Sequence, residues 1–212
     1  GGNLMKKLTR LLALVLALTA LTALVSAEAA YTFRTSKENR VVTENGEFTR
    51  DMVAEPVLIT SIGQSADVSM LDALMKKVGA TYTFNATAAA DEVAKYKTVI
   101  IAAGASSKGL GAAGISKEDE IARAEALLKA VEENEITVIL AHLGGPGRRG
   151  ALSDTFSDMV LPQSKYIIVV EEGNDDGKFT DYAAENEIPI TLLATIADAM
   201  TVLKDLFAPV AQ

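Results

Sequence analysis

The chain reads as an α/β protein built on a doubly wound, mostly parallel sheet of about six strands with helices on both faces, flavodoxin-like or Rossmann-like in arrangement. Three observations predict this. From Pro56 onward, short apolar runs rich in β-branched residues alternate with longer segments of helical period. The runs lack polar alternation, as strands do when helices cover both faces of a parallel sheet. No internal repeat or Pro/Gly/Ser-rich linker interrupts residues 56–212, so the region reads as one domain.

The first residues are set apart from the fold. Met5 opens the basic segment MKKLTR, followed by the uncharged apolar run LLALVLALTALTALV, which is short for a membrane span and has no basic stop-transfer cluster after it. Residues 5–27 are therefore expected to be a signal peptide, with Val25-Ser26-Ala27 offering small residues at the −3 and −1 sites and a mature N-terminus at Glu28. Residues 1–4, GGNL, have no role ahead of the charged end and read as a translated leader upstream of the true start, since two glycine codons can spell a purine-rich ribosome-binding sequence. The expected address is secretion, with no retained membrane span.

Removing residues 1–27 takes away Lys6, Lys7 and Arg10 and no acids, which moves the net charge from −8 to −11. So acidic a protein is poorly suited to nucleic acid or to an anionic membrane surface. With no cysteine in the chain, disulfides, thiolate catalysis and Cys-based metal sites are excluded, and stability has to come from a hydrophobic core.

The elements follow in order. Residues 28–55 are polar and weakly periodic, and Asn45-Gly46 between two β-prone runs suggests a small hairpin or an extended arm. Then VLITS, ATYTF, TVIIAA, ITVILAH, YIIVVE and IPITLLA read as six strands. After the first, Val68, Leu71, Leu74, Met75 and Val78 form the apolar face of a helix that Gly79 closes. After the third, SKED resembles a capping box, and Ile121, Ala124, Leu127, Leu128 and Val131 recur at helical spacing. Ile196, Met200, Leu203 and Phe207 line a last helix.

In open α/β sheets ligands bind beyond the carboxyl ends of the strands, where strand order reverses. The unusual loops fall there: SIGQSADVS after the first strand, GASSKGLGAAG after the third and HLGGPGRRG after the fourth. Together with VVEEGNDDGKFT, these motifs resemble a family of secreted bacterial proteins, one of the domain-of-unknown-function families, over nearly all of Pro56 to Phe207. The resemblance implies no activity.

Each motif carries two readings. Ser61, Gln64 and Ser65 stand at the start of the first helix, where the dipole and free N–H groups favour an anion; simple capping by Ser65 or Asp67 is the alternative. Gly109, Gly111 and Gly114 match G-x-G-x-x-G only weakly, because the helix begins beyond Ser116 and no acid ends the next strand to hold a ribose. Beside them, Ser106, Ser107 and Lys108 could form an anion nest or a bland mobile loop. In GNDDGKFT, Glu172, Asn174 and Asp176 alternate before Gly177 as in a calcium loop, but the position for the bidentate acid is Ala183; a turn capping a helix near Lys178 is the better account. No metal or cofactor is expected.

Arg148 and Arg149 lie among Gly144, Gly145, Gly147 and Gly150, which let a ligand approach backbone closely, and arginine suits bidentate capture of carboxylate or phosphate. Adjacent residues in extended chain point opposite ways, so one arginine is expected at the ligand and one clamping the loop against Asp154, Asp158 or Glu171. His142, the single histidine, sits at a strand end and reads more readily as a packing donor than as a general base. The leading expectation is a secreted, non-enzymatic domain that binds a small anionic solute at the carboxyl edge, with a membrane or cell-surface protein as a further partner. The alternatives are a hydrolase or transferase using Ser65, His142 and Arg149, and a protein-interaction module.

Overall fold

The computed structural model describes residues 30–209, so the expected leader and signal peptide lie outside the described residues. Seven strands form one sheet: β1 (Val41–Glu44), β2 (Val57–Ile62), β3 (Thr83–Phe84), β4 (Thr98–Ala103), β5 (Thr137–His142), β6 (Ser164–Val170) and β7 (Ile190–Leu193). Their order is β1-β7-β6-β5-β4-β2-β3. Every neighbouring pair is parallel except β1 with β7. The six strands expected from the sequence thus stand in flavodoxin-like order, and the reversal falls between β2 and β4.

All six residues of β2 and of β4 are buried, which is why these runs show no polar alternation. Successive side chains serve two cores. Leu58, Ile62, Val99, Ile101, Leu140 and Ile167 belong to one, while Val57, Ile59, Ile100, Ile139 and Ile168 belong to the other. The first core is closed by α2 (Ala90–Val93), α4 (Lys117–Glu133), α5 (Ala151–Val160) and α6 (Lys178–Glu185). The second is closed by α1 (Asp67–Val78) and α7 (Ala199–Phe207). Helix boundaries follow local chemistry. Gly79 ends α1 in the left-handed conformation at φ 73°, and the Ser116 hydroxyl accepts the Asp119 N–H at 3.0 Å to start α4.

Two expectations needed correction, and a third, hairpin or arm, is met by its second alternative. ATYTF contributes only Thr83–Phe84 as strand, both exposed, because β3 is a sheet edge with β2 on one side and no neighbour on the other. SSKGLGAAG forms neither nest nor loop: Ser107–Ala113 is a short helix, α3, capped by the Ser106 hydroxyl. The Asn45-Gly46 turn exists, with φ 59° and 104°, but it closes no hairpin. β7 presents an open edge, so β1 pairs there instead, and beyond the turn Phe48 stacks on Tyr166 with ring centroids 4.8 Å apart. Ahead of β1, the backbone N–H groups of Arg34 and Thr35 both donate to the buried Glu171 carboxylate at 2.7 Å, which straps the arm across the carboxyl edge. No helix among the described residues is long and apolar enough to cross a membrane.

Candidate functional site

The crevice between β2 and β4 is occupied by the protein's own backbone. Gln64 and Ala105 form an antiparallel bridge, Ser106 N–H donates to Gly63 O at 3.3 Å, and Gly104 N–H donates to Ile62 O at 3.1 Å. Glycines make this closure possible. A Cβ on Gly63 would fall 2.2 Å from Gly104 O, and one on Gly109 would fall 1.9 Å from Gln64 O. In the segment after β4, Gly109 therefore serves backbone packing.

Charge beneath the first loop holds it in place. Glu120 is fully buried and accepts from Gly63 N–H at 2.7 Å, from Gln64 Nε2 at 3.1 Å and from Arg123 at 2.7 and 2.8 Å. Arg123 in turn donates to Ser61 O at 2.5 Å and Ala88 O at 2.7 Å. Ser61 and Gln64 consequently face the protein: the Ser61 hydroxyl donates to Ala102 O at 3.1 Å, and the second Gln64 contact is Ala86 O at 3.2 Å. Ser106 caps α3, and Ser107 and Lys108 lie exposed on it.

Around Gly104 two polar side chains, His142 and Ser65, converge, with Asp67 bonded next to Ser65. An added Cβ there would meet the His142 ring at 3.6 Å and Ser65 Cβ at 3.7 Å. His142 is fully buried; its Nδ1 lies 2.9 Å from Ala103 O, so the bond to that carbonyl places the neutral imidazole's proton on Nδ1 and leaves Nε2 as a lone pair without a partner. Burial lowers the His142 pKa, opposed by the Ala103 bond and by the charge of Asp67. Ser65 is nearly buried and its hydroxyl accepts Asp67 N–H at 3.3 Å, so it caps α1. Asp67, also buried, takes Leu143 N–H at 3.0 Å on one oxygen and leaves the other without a hydrogen bond. The start of α1 thus carries its own carboxylate.

The two arginines differ sharply. Arg149 spends all five N–H donors on protein acceptors: Asp154 at 2.9 and 3.4 Å, Gly173 O at 2.6 Å and Asp176 at 2.9 and 2.7 Å. Its guanidinium also sits 5.4 Å over the Phe179 ring, within cation–π range. Hydrogen bonding to Asp176 raises the Arg149 pKa further, and the same bond holds the Asp176 carboxyl down to about 2. Arg149 is the loop clamp, with no donor left for a ligand. Arg148 is half-buried, and its contact is an ion pair from Nε to the bare Asp67 oxygen at 3.5 Å. Its side chain crosses the loop at Gly144, where a Cβ would fall 1.8 Å from Arg148 Cγ.

Two further side chains of this region have structural partners. Asn174 caps α6, accepting Phe179 N–H at 2.7 Å and Thr180 N–H at 3.4 Å, and Asp158 pairs with Lys178 at 2.5 Å. Over the carboxyl ends of β5, β6 and β7 a cleft of about 340 Å³ opens between Leu143–Pro146, Val170 with Glu172, and the Ala194–Ala197 turn. Gly144 forms part of its wall. The sequence-derived set is therefore split. Ser65, His142 and Arg148 gather around Asp67 and Gly144, whereas Ser61, Gln64 and Ser106 build the zipped crevice. Asp67 as a hub and the Glu120–Arg123 pair were missed, although both acids fall on the buried stripes of their helices, at 67, 71, 74, 78 and at 120, 124, 127, 131.

No curated protein matches the chain. Two solved structures are similar to it in fold. One is a candidate acylhydrolase from Bacteroides fragilis, at 13% identity and TM-score 0.28, with 63% of this chain and 64% of that one covered. The other is a GDSL-like lipase from Bacteroides thetaiotaomicron, at 15% identity and TM-score 0.28, with 66% and 72% covered. A family model described as a domain of unknown function, DUF6305, matches residues 54–207, from just before β2 to the end of α7, and the chain belongs to that family.

Proposed function

We propose that this protein is a secreted binding domain for a small anionic solute, a carboxylate or phosphate, with Arg148 as the charged contact at the carboxyl edge of the sheet. The contrast between the arginines carries the reading. Arg149 has no donor to spare, whereas Arg148 is engaged by Asp67 on its Nε side alone, which leaves the edge formed by its two terminal nitrogens open for bidentate capture. Asp67 orients that guanidinium, and Gly144 and Gly145 contribute only backbone to the wall of the adjoining cleft, which Glu172 also lines. The overall negative charge does not forbid this, because exposed acids beyond about 8 Å are screened at physiological salt. A membrane or cell-surface protein that receives the solute completes the proposal, and the signal peptide at residues 5–27 delivers the chain to that compartment.

The test is a thermal-shift panel of carboxylates and phosphates on wild type, Arg148→Ala and Arg149→Ala. Loss of Arg148 should weaken binding by about 1.5–3 kcal/mol, roughly ten- to a hundredfold, read as the anion-induced shift from the variant's own unliganded midpoint, which itself falls because the buried Asp67 carboxylate loses its ion-pair partner. Loss of Arg149 should lower that midpoint by itself, since it strips acceptors at Asp154, Asp176 and Gly173 of their donor. If no anion raises the wild-type midpoint, or if Arg148→Ala responds as wild type does, the anion site is lost and a protein partner becomes the better account.

One observation favours a second reading, hydrolysis or transfer. His142 Nε2 is a lone pair with its tautomer set by Ala103, and Ser65 shares its wall at Gly104. In that case Ser65→Ala and His142→Ala would each abolish turnover of p-nitrophenyl acetate or p-nitrophenyl phosphate. Absence of turnover in wild type removes it.

A further inference from the structure

A second cavity lies away from the carboxyl edge. It has a volume of about 370 Å³ on the α1/α7 face of the sheet and is lined by β1, β6, β7, α7 and residues 47–50 after the Asn45-Gly46 turn. The volume is in the range of small-molecule pockets. Its floor is unusual for this sheet. Along the same face β2, β4 and β5 present Ile59, Ile100 and Ile139, whereas β1, β7 and β6 present Thr43, Thr191 and Tyr166.

These three hydroxyls are bonded in series, Tyr166 to Thr191 at 2.5 Å and Thr191 to Thr43 at 2.8 Å. Three hydroxyls bring three protons, and two mutual bonds use two of them. One of the three, an end or the middle hydroxyl, must therefore donate elsewhere. Tyr166 and Thr191 are buried and Thr43 is exposed, so the arrangement without a buried orphan runs from Tyr166 through Thr191 to Thr43 and directs the spare proton from Thr43 into the cavity. Burial, with Asp205 nearby, pushes the Tyr166 phenol up to about 12 against the opposing Thr191 bond, which keeps it protonated.

The charges around this floor are unequal in number. Glu47 and Asp205 line the cavity. Arg50 lines it too and gives three of its five N–H donors to the terminal carbonyls of α7, to Lys204 O and Asp205 O at 3.0 Å and to Ala208 O. That places its charge at the negative end of the helix, and two acids against one base leave the cavity net negative. Phe48, stacked on Tyr166, supplies an apolar wall.

We propose that this cavity is a second binding site, for a small organic amine with a partly apolar body: the ammonium is held by Glu47 and Asp205, the body lies against Phe48, and an acceptor on the ligand takes the Thr43 hydroxyl. The site is independent of the anion reading, since it shares no residue with the surroundings of Arg148.

Calorimetric titration of the full chain with a matched series tests it. Tyramine, tyrosol and 4-hydroxyphenylacetate share one aromatic body and differ in head charge. Tyramine should bind about tenfold or more tighter than tyrosol, the difference a charge-assisted contact makes. The double variant Glu47→Gln, Asp205→Asn, at two exposed positions, should erase that preference, Thr43→Val should weaken all binding at the site, and Arg148→Ala should leave tyramine binding unchanged. Tyrosol or 4-hydroxyphenylacetate binding as tightly as tyramine, or no tyramine binding at millimolar concentration, would overturn the proposal. So would a tyramine preference that survives in the double variant.

Discussion

His142 shows how much a single side chain's surroundings decide. It is the chain's one histidine, fully buried, bonded through Nδ1 and packed against Phe179 with centroids 5.1 Å apart. Burial holds its pKa below the ordinary 6.5, so the unfolded chain takes up a proton below pH 6.5 that the folded chain refuses. Stability is then complete above 6.5 and is lost as pH falls from there toward the folded value. Urea unfolding of wild type should show a loss of up to about 1.4 kcal/mol between about pH 7.5 and about pH 5.5. His142→Asn, which keeps a donor for Ala103 O and cannot titrate, should be flat over that interval even if less stable throughout. An equal slope in both proteins would mean that His142 carries a proton when folded.

At the scale of elements, the glycines of α3 divide into two kinds. Gly109 meets backbone: its added Cβ would lie 1.9 Å from Gln64 O, so Gly109→Ala must push the first and third loops apart. Gly111, two residues on and exposed, has nothing within 4 Å of an added Cβ. Gly111→Ala should raise stability by about 0.5–1 kcal/mol, the gain expected when a helical glycine acquires a methyl group without strain. Chemical denaturation of the two variants should move in opposite directions. A destabilised Gly111→Ala would show that α3 is not helical in solution. The same comparison explains why GLGAAG misleads: in sequence its glycines suggest backbone offered to a ligand, whereas the fold uses one for a close crossing and Gly114, at φ 67°, to end the helix.

For the molecule as a whole, the N-terminal arm is an integral part of the sheet and of the carboxyl edge. β1 adds the antiparallel strand to β7, Arg40 pairs with Asp198 at 2.8 Å at the start of α7, and Arg34 and Thr35 are tied to Glu171 at the end of β6. Glu171→Ala removes the acceptor of two backbone donors at once. Amide exchange at Arg34 and Thr35 should accelerate markedly in that variant, while β4 and β5, four and three positions from β1 in the sheet, keep wild-type protection. Unchanged exchange at both amides would show that the strap is held by other contacts.

Some of this was legible one residue at a time, and some could not be. The parallel core strands, the longer helices between them and two of their caps were read from TVIIAA, ITVILAH, SKED and Gly79, because burial on both faces and the end of a helix are local demands that leave local marks. The loops that carry function answer to partners far along the chain. Whether Arg148 or Arg149 is committed depends on Asp154 and Asp176 lying on one side and Asp67 on the other, the last of these 81 positions before Arg148. Whether the β2–β4 crevice is open depends on Gly63 and Gly109 meeting backbone from another loop. The cavity beneath Phe48 requires β1, β6, β7 and α7 together. Sequence periodicity therefore determined the layers of this protein. Charge pairing and backbone contact at distances of tens of residues, which only the tertiary structure creates, decided where a ligand has room.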